Sequence, residues 1–280
     1  MMPLMRNVQG IAFPSFLYGT AWKEDATEAC VASALAAGFR GIDTANQRKH
    51  YFEEGAGRAI ARAIADGHVT REELFIQTKF TFARGQDQRL PYDPKAPVAT
   101  QVEQSFNSSL EHLRVTYLDS LVLHGPTHAQ GLAPEDHEAW AAMEKIHATG
   151  GARLIGISNV AADQLKLLIE AAKVRPAFVQ NRCYARDGWD EEVRSICDAK
   201  GVVYQGFSLL TANPKVVASA TVAKIAEHHR RSREAIVFRF ALDLGMLPLT
   251  GTKNPERMKI DLDSERIALS LEDRKAILAL

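Results

Sequence analysis

The amino-acid sequence predicts one α/β domain of the (β/α)8 TIM-barrel class, spanning residues 1–280. Short apolar runs rich in strand-forming residues recur along the chain, and longer stretches with helical spacing of their apolar residues lie between them. No low-complexity linker or change in composition divides the 280 residues, a length typical of one barrel. Strands that alternate with helices pair in parallel, and eight such repeats favour a closed barrel over an open sheet.

The strand-like runs are the first part of this evidence. They lie at Phe16–Ala21, Phe39–Thr44, Leu74–Phe80, Leu118–His124, Arg153–Ser158, Ala177–Asn181, Val202–Leu209 and Met246–Gly251. An open doubly wound sheet, the competing fold, would carry a glycine-rich turn directly after its first strand. The segment Gly19-Thr20-Ala21 at that place holds a single glycine, so the open sheet is rejected.

The helical runs complete the alternation. One face of a helix is indicated by the spacing of Val98, Val102, Phe106, Leu110 and Leu113, which follows the helical repeat. Two helices are predicted between the last two strands, at Val222–Arg230 and Arg233–Leu244. A final helix, Leu271–Leu280, is expected to pack outside the barrel.

Composition excludes several classes of protein. Lys and Arg total 34 and Asp and Glu total 34, whereas a nucleic-acid binder carries a basic excess and a membrane-surface protein a cationic face. No apolar run approaches the ~20 residues that span a bilayer, and Met1–Pro14 lacks a secretory pattern. The separated cysteines Cys30, Cys183 and Cys197 are typical of reduced thiols without a metal role. We therefore predict a cytoplasmic protein with neither a nucleic-acid nor a membrane partner.

Polar residues at the carboxyl ends of the predicted strands indicate a site. They are Asp43, Lys79, His124, Ser158-Asn159 and Gln180-Asn181. In a parallel barrel these ends meet at one face, where active sites lie. Any one of them could be structural, for example an Asp43–Lys79 ion pair, because a buried charge requires a partner. Convergence of such residues from successive strands favours a shared site.

Six motifs in register then resemble the aldo-keto reductase family, from about Phe16 to Leu262. They are the stretch from Gly38 to Ala45, which contains Asp43, then Thr78-Lys79, Leu121 to His124, Gly156 to Asn159, Gln180-Asn181, and Gly251 to Arg257. The resemblance implies reduction of an aldehyde or ketone to the alcohol with a nicotinamide cofactor, and an Asp, Tyr, Lys and His catalytic set. Asp43, Lys79 and His124 occupy three of those positions.

The resemblance also gives these residues their roles. A tyrosine supplies the proton that the carbonyl oxygen needs after hydride transfer, although its ordinary pKa near ~10 makes it a weak acid. The lysine ammonium is expected to lower that pKa, and the aspartate to hold the lysine charged. His124 is expected to orient the substrate carbonyl.

The tyrosine departs from the family pattern. The family position is occupied here by Arg48, and the next tyrosine is Tyr51, followed by Glu54 in the family's Tyr-x-x-Glu spacing. We predict that a lengthened loop within Asn46–His50 still delivers Tyr51 as the general acid. The alternatives are His50 as the acid, or a broken catalytic set.

The same resemblance assigns the cofactor site. Ser158, Asn159 and Gln180 match residues that bind the nicotinamide carboxamide, and Phe207 matches an aromatic residue stacked on its ring. The remaining predicted contacts are Gly19, Thr20, Ala21, Asp43, Ser208, Leu209, Thr252, Lys253 and Arg257. Lys253 and Arg257 favour NADP(H) over NAD(H), because cations pair with the adenosine 2′-phosphate.

Two other functions stay open at this point. A metal-dependent hydrolase could use His124, His128 and His137, although the last two fall in a predicted loop. A regulatory or redox-sensing relative would bind NADP(H) with little catalysis. The expected pocket walls, which suggest an apolar or aromatic carbonyl substrate, are Trp22, Asn46–His50, Phe82–Pro97, His128–Pro134 and Tyr184–Trp189.

Overall fold

The computed structural model describes residues 4–280, and eight of its strands close into a parallel barrel. An antiparallel hairpin of β1 (Met5–Val8) and β2 (Ile11–Pro14) precedes the barrel. The predicted domain, and the segment Met1–Pro14 that lacks a secretory pattern, both include residues 1–3. These three residues lie outside the described part. The barrel confirms the predicted fold class.

The barrel strands follow one another in chain order, and the last pairs with the first. They are β3 (Leu17–Gly19), β4 (Gly41–Asp43), β5 (Phe75–Phe80), β6 (Leu118–Leu123), β7 (Ala152–Ser158), β8 (Phe178–Arg182), β9 (Val203–Phe207) and β10 (Leu247–Thr250). Every predicted strand overlaps its observed counterpart, with ends that differ by at most two residues.

Helices surround the barrel. They are α1 (Thr27–Ala37), α2 (Glu53–Ala65), α3 (Val98–Leu113), α4 (Pro134–Ala148), α5 (Ala162–Ala171), α6 (Glu191–Lys200), α7 (Pro214–Ala218), α8 (Ala220–His229), α9 (Arg233–Asp243), α10 (Pro255–Asp263) and α11 (Leu271–Leu278). The predicted pair before the last strand corresponds to α8 and α9, and the predicted final helix to α11. The short α7 was not predicted.

The main core fills the space between strands and helices. Phe16, directly before β3, contacts Phe39 and Phe238 edge to face, with ring centres 5.9 and 5.0 Å apart, so side chains beside the strand starts interlock with α9. Helices α2 and α3 touch at Gly57, where a Cβ would lie 1.9 Å from the carbonyl oxygen of His112. Any larger residue there would push the two helices apart.

The amino-terminal hairpin covers the end of the barrel opposite the carboxyl ends of the strands. Phe13 is fully buried and packs against Phe75 and Phe178, with ring centres 6.3 and 5.4 Å away. Arg6 donates to the carbonyl oxygens of Gly245 and Met246, each at 2.9 Å. The hairpin turns at Gln9 and Gly10, both with positive φ, the backbone that tight hairpin turns use.

The three cysteines are buried and form no disulfide within residues 4–280. Burial raises the pKa of Cys183 and of Cys197 to about 12, so both thiols stay protonated and unreactive. In the described part of the chain, no helix combines the length and apolar character needed to cross a bilayer.

The hairpin predicts a specific stability effect. Phe13→Ala should lower the free energy of unfolding by about 3–5 kcal/mol, because a buried aromatic side chain leaves a cavity behind. Met5→Ala, in the same hairpin but 55% exposed, is the control and should change it by less than about 0.5 kcal/mol. Urea unfolding followed by circular dichroism measures both. Equal small effects would mean that the hairpin does not seal the barrel.

Candidate active site

The carboxyl ends of the barrel strands enclose a cavity of about 770 Å³, a size typical of cofactor and substrate sites. The predicted site residues that line it are Gly19, Ala21, Asp43, Tyr51, His124, Ser158, Asn159, Gln180, Phe207, Ser208, Leu209, Thr252 and Arg257. Three predicted residues do not line it: Thr20, Lys79 and Lys253. The cavity therefore brings most of the predicted site together.

Lys79 lies directly beneath the cavity floor. Its Nζ donates to both carboxylate oxygens of Asp43 at 2.8 Å and to the carbonyl oxygen of Thr44 at 2.7 Å. Both side chains of the pair are buried. Burial lowers the pKa of Lys79, and the Asp43 carboxylate opposes that shift. All three N–H groups of the ammonium are thus used within the protein.

Asp43 is held by more than the lysine. Its Oδ1 accepts hydrogen bonds from Nε2 of Gln77 at 2.7 Å and from Nε2 of Gln180 at 3.0 Å. These contacts and the ion pair with Lys79 hold the Asp43 carboxylate in one position on the cavity floor.

The lengthened loop after β4 folds into a tight turn. The backbone N–H groups of His50 and Tyr51 both donate to the carbonyl oxygen of Gln47 at 3.0 Å, and that of Trp22 donates to the carbonyl oxygen of His50 at 2.8 Å. The Lys79 Nζ lies 5.2 Å from the centre of the Tyr51 ring. The rings of Tyr51 and His124 are 5.9 Å apart, edge to face.

The expected lowering of the tyrosine pKa is not found. Burial raises the pKa of Tyr51, and the negative charge of Asp43 raises it further. The N–H groups of Lys79 are directed at Asp43 and Thr44, so the ammonium donates no hydrogen bond to the phenol. The phenol is consequently a firmly protonated group at the cavity wall.

Two acidic residues, Glu53 and Glu54, follow the tyrosine and lie in different environments. The buried carboxylate is that of Glu53, which accepts from the hydroxyls of Thr78 and Ser109 and from the His112 ring. Glu54, which matched the family spacing, has a side chain that is 40% exposed. Helix α2 begins at Glu53 and turns that residue inward, so the buried acid is the neighbour of the residue that meets the Tyr-x-x-Glu spacing.

His124 closes β6 and faces Tyr51 across the cavity. Burial, with the charges of Lys79 and His50, lowers the pKa of His124 to about 3, so the ring is neutral at working pH. Its Nδ1 lies 2.6 Å from the Thr81 hydroxyl. Among residues 4–280 that hydroxyl has no other acceptor, so we infer that it donates to Nδ1 and leaves the proton on Nε2.

His50, the rival acid, lines the same cavity. Its ring stacks on Trp22 with centres 3.9 Å apart, and its Nδ1 lies 2.9 Å from Oε1 of Gln47. Trp22 is 64% exposed, so this pair stands at the cavity entrance rather than at its floor.

The predicted carboxamide-binding residues cluster on neighbouring strands. The Ser158 hydroxyl donates to the carbonyl oxygen of Gln180 at 2.6 Å, and Nδ2 of Asn159 donates to the carbonyl oxygen of His124 at 2.7 Å. Asn159 and Ser208 have positive φ values of 50° and 57°. Such backbone is uncommon outside glycine and is often held at functional sites.

The cavity extends to the start of α10. Asn254 caps this helix by accepting from the backbone N–H groups of Glu256 and Arg257 at 2.9 and 3.1 Å. Arg257 lines the cavity, whereas Lys253 is exposed outside it. Neither cation forms an ion pair with the described residues. Thr20 is buried behind the wall, where its hydroxyl donates to the carbonyl oxygen of Asp43 at 3.0 Å.

These features fit a nicotinamide dinucleotide. A helix amino terminus and a free arginine suit a phosphate at one end, and Phe207 offers an aromatic face at the other. Near Phe207, Oε1 of Gln180 takes no donor from residues 4–280. An unpaired acceptor there suits an amide N–H.

Several lining residues were missed by the sequence reasoning. They include Arg182, Leu210, Thr211, Ser232, Glu234, Phe238, Ile260 and Asp261. The signal for Arg182 was present, because it lies two positions after Gln180 and strand side chains alternate. Its guanidinium lies 5.5 Å from the centre of the Phe207 ring. The residues on α9 and α10 carried no comparable signal.

The predicted pocket walls need correction. Trp22, Gln47 and His50 line the cavity, but no residue of 82–97, 128–134 or 184–189 does. Phe82 packs on Phe80, and Trp189 is fully buried against Phe240. These aromatic loop residues fill the core instead of the pocket.

The histidines of the metal-hydrolase alternative do not assemble. His128 and His137 are exposed, whereas His124 lies at the cavity. Within residues 4–280, no group of three His, Cys, Asp or Glu side chains is placed to hold a metal ion.

Comparison with known proteins identifies the family. The model of the Aldo/keto reductase family matches residues 16–280. The chain belongs to this family. It is therefore an NAD(P)H-dependent oxidoreductase, as the sequence predicted.

Individual relatives agree with this assignment. Glyoxal reductase of Bacillus subtilis is 29% identical over 274 residues, covering 97% of this chain and 90% of that protein. Aldo-keto reductase AKR2E4 of Bombyx mori is 29% identical over 276 residues, covering 92% and 84%. The crystal structure of AKR2E4 in complex with NADP superposes with a TM-score of 0.82 at 25% identity, covering 100% of this chain and 93% of that one.

Asp261 of this reductase predicts a pH-dependent stability. Burial raises the pKa of Asp261 to about 7, although the Thr250 hydroxyl donates to it at 2.7 Å. Between about pH 4 and pH 7 the unfolded chain releases a proton that the folded chain keeps, so stability falls as pH rises through this window. Asp261→Asn should stabilise the protein more at pH 8 than at pH 5, by about 1–3 kcal/mol.

Urea unfolding at the two pH values measures this difference. Glu256→Gln, an exposed acid in the same helix, is the control and should show no such dependence. An equal effect of Asp261→Asn at both pH values would contradict the raised pKa.

Proposed function

We propose that this enzyme reduces a small aldehyde or ketone to the alcohol with NADPH, using Tyr51 as the general acid and His124 to orient the carbonyl. The observation that carries the proposal is the convergence of Asp43, Tyr51 and His124 on the floor and wall of one cavity, with Lys79 paired to Asp43 directly beneath. The family membership supports the reaction class. The substrate and the roles of the residues are the proposed part.

The chain's own residues divide the chemistry. When bound, the nicotinamide supplies the hydride. The neutral His124 ring donates its Nε2–H to the substrate carbonyl and so positions it. The Tyr51 hydroxyl gives its proton to the oxygen as negative charge develops there. An alkoxide is a stronger base than a phenolate, so this transfer is downhill even from a tyrosine with a raised pKa.

The ion pair beneath the floor supports this step without touching substrate. The ammonium of Lys79, 5.2 Å from the Tyr51 ring centre, attracts the negative charge that forms on the phenolate. Asp43 keeps that ammonium charged in a buried site. The rim residues Trp22 and His50 present aromatic surface to the entrance, which favours a carbonyl compound with apolar substituents.

One observation favours a second function. Lys79 directs all its N–H groups at Asp43 and Thr44 and none at Tyr51. This arrangement is compatible with a regulatory or redox-sensing relative that binds NADP(H) and has little catalytic activity. Steady-state oxidation of NADPH by simple aldehydes separates the two functions, because such a relative binds NADPH without turnover.

The general acid is tested by two substitutions in adjacent residues. Tyr51→Phe should retain NADPH binding and lose at least ~100-fold in turnover, because it removes a positioned proton donor. His50→Ala should have a much milder effect. Stopped-flow and steady-state NADPH oxidation measure turnover, and fluorescence titration measures binding. Near-normal turnover in Tyr51→Phe with a collapse in His50→Ala would move the role to His50.

Cofactor preference is tested at the two cations near α10. Arg257→Ala should weaken NADPH binding by about 1–3 kcal/mol without changing NADH binding, because a charge-assisted contact to the 2′-phosphate is lost. Lys253→Ala, outside the cavity, is the matched control and should have a smaller effect. Equal affinity of the unmodified enzyme for NADPH and NADH, measured by titration, would contradict this role of Arg257.

A further inference from the structure

Three buried glutamines form an amide network inside the barrel, below the cavity. Gln77 of β5 and Gln205 of β9 form a reciprocal pair, with Nε2 of each donating to Oε1 of the other at 2.8 and 3.0 Å. β5 and β9 are not neighbours in the barrel, so this pair crosses the lumen. Neither residue lines the cavity, and the family motifs in the sequence include neither.

Gln180 of β8 joins this pair to Asp43. Its Nε2 donates to Oδ1 of Asp43 at 3.0 Å and to Oε1 of Gln205 at 2.8 Å. Both N–H groups of the Gln180 amide are therefore used. Its carbonyl oxygen lies on the other side and receives no donor from residues 4–280. Gln180 is also the one of the three that lines the cavity.

The network permits a single orientation of the Gln180 amide. If this amide were reversed, its oxygen would lie against the Asp43 carboxylate and the Gln205 carbonyl oxygen. Two hydrogen bonds would be replaced by contacts between acceptors, and buried acceptors without donors are strongly disfavoured. Gln77 in turn holds Gln205, because its own Nε2 donates both to Gln205 and to Asp43.

We propose that Gln205 is a positioning residue that fixes Gln180 with its carbonyl oxygen toward the cavity, where it accepts an N–H from a primary carboxamide. This proposal rests on the proposed function, in which the carboxamide belongs to nicotinamide. Asp43 thereby serves two ends of the site: it holds the charge of Lys79 on one side and the amide of Gln180 on the other. Gln77 secures the arrangement from across the lumen.

The test compares two ligands that differ in this one group. NADP+ carries a carboxamide, and its 3-acetylpyridine analogue replaces the amide nitrogen with a methyl group that cannot donate. The unmodified enzyme should bind NADP+ about five- to tenfold more tightly than the analogue, the effect of one neutral hydrogen bond. Gln205→Met should reduce this ratio to about two- to threefold, because the Gln180 amide is then held by Asp43 alone and its carbonyl oxygen is less firmly directed at the cavity. Isothermal calorimetry measures both constants without turnover.

Two further variants make the result specific. Gln101→Met removes another buried glutamine, one that donates to the Ala96 carbonyl oxygen at 2.8 Å, and should leave the ratio unchanged. Gln77→Met, which leaves Gln180 and its direct partners in place, should lower the ratio partly and serves if Gln205→Met does not fold.

Each remaining outcome has a definite meaning. An equal loss of affinity for both ligands in Gln205→Met and Gln77→Met would mark the network as structural only and overturn the proposal. An unmodified enzyme that binds NADP+ but does not prefer it to the analogue would also overturn it. An unmodified enzyme that binds neither ligand would instead overturn the proposed function on which the proposal rests.

Discussion

The ammonium of Lys79 is removed from water in the lumen of the barrel, and much of the site follows from that burial. A buried cation without a partner costs several kcal/mol, so Asp43 must lie within 2.8 Å of it. The carboxylate has oxygen lone pairs that one ammonium does not satisfy, and the glutamine amides meet this need. The side-chain layer inside the barrel, which usually consists of branched apolar residues, is therefore polar here. Its hydrogen bonds hold the floor of the pocket rigid.

The electrostatic character of the pocket changes from one end to the other. Around Tyr51 and His124, burial keeps both side chains neutral, so the reacting carbonyl would meet donors without a nearby mobile charge. Toward α10 the cavity is lined by Arg257 but also by the acids Glu234 and Asp261. A phosphate bound there would be attracted by one group and repelled by two, and protonation of Asp261 reduces that repulsion.

Much of the barrel and of its floor was predictable because both follow from repeating patterns. Apolar runs gave the eight strands, and polar residues at their ends gave Asp43, Lys79 and His124. The two-residue period of a strand would also have indicated Gln77 and Gln205, which lie two positions before Lys79 and Phe207. The burial of Glu53 could not be predicted, because a helix start is not fixed by spacing to within one residue. The hairpin was missed because each of its strands has only four residues.

The hairpin also bears on how the chain reaches its native state. Phe13 stands near the beginning of the sequence, yet its contacts include Phe178, and Arg6 bonds to Gly245 and Met246. The first strand of the barrel likewise pairs with the last. Contacts between such distant positions can form only when long loops close, and this requirement makes folding slower. During synthesis the contact partners of the early apolar residues are made only after most of the polypeptide. Ribosome-bound chains therefore expose apolar surface that chaperones would shield.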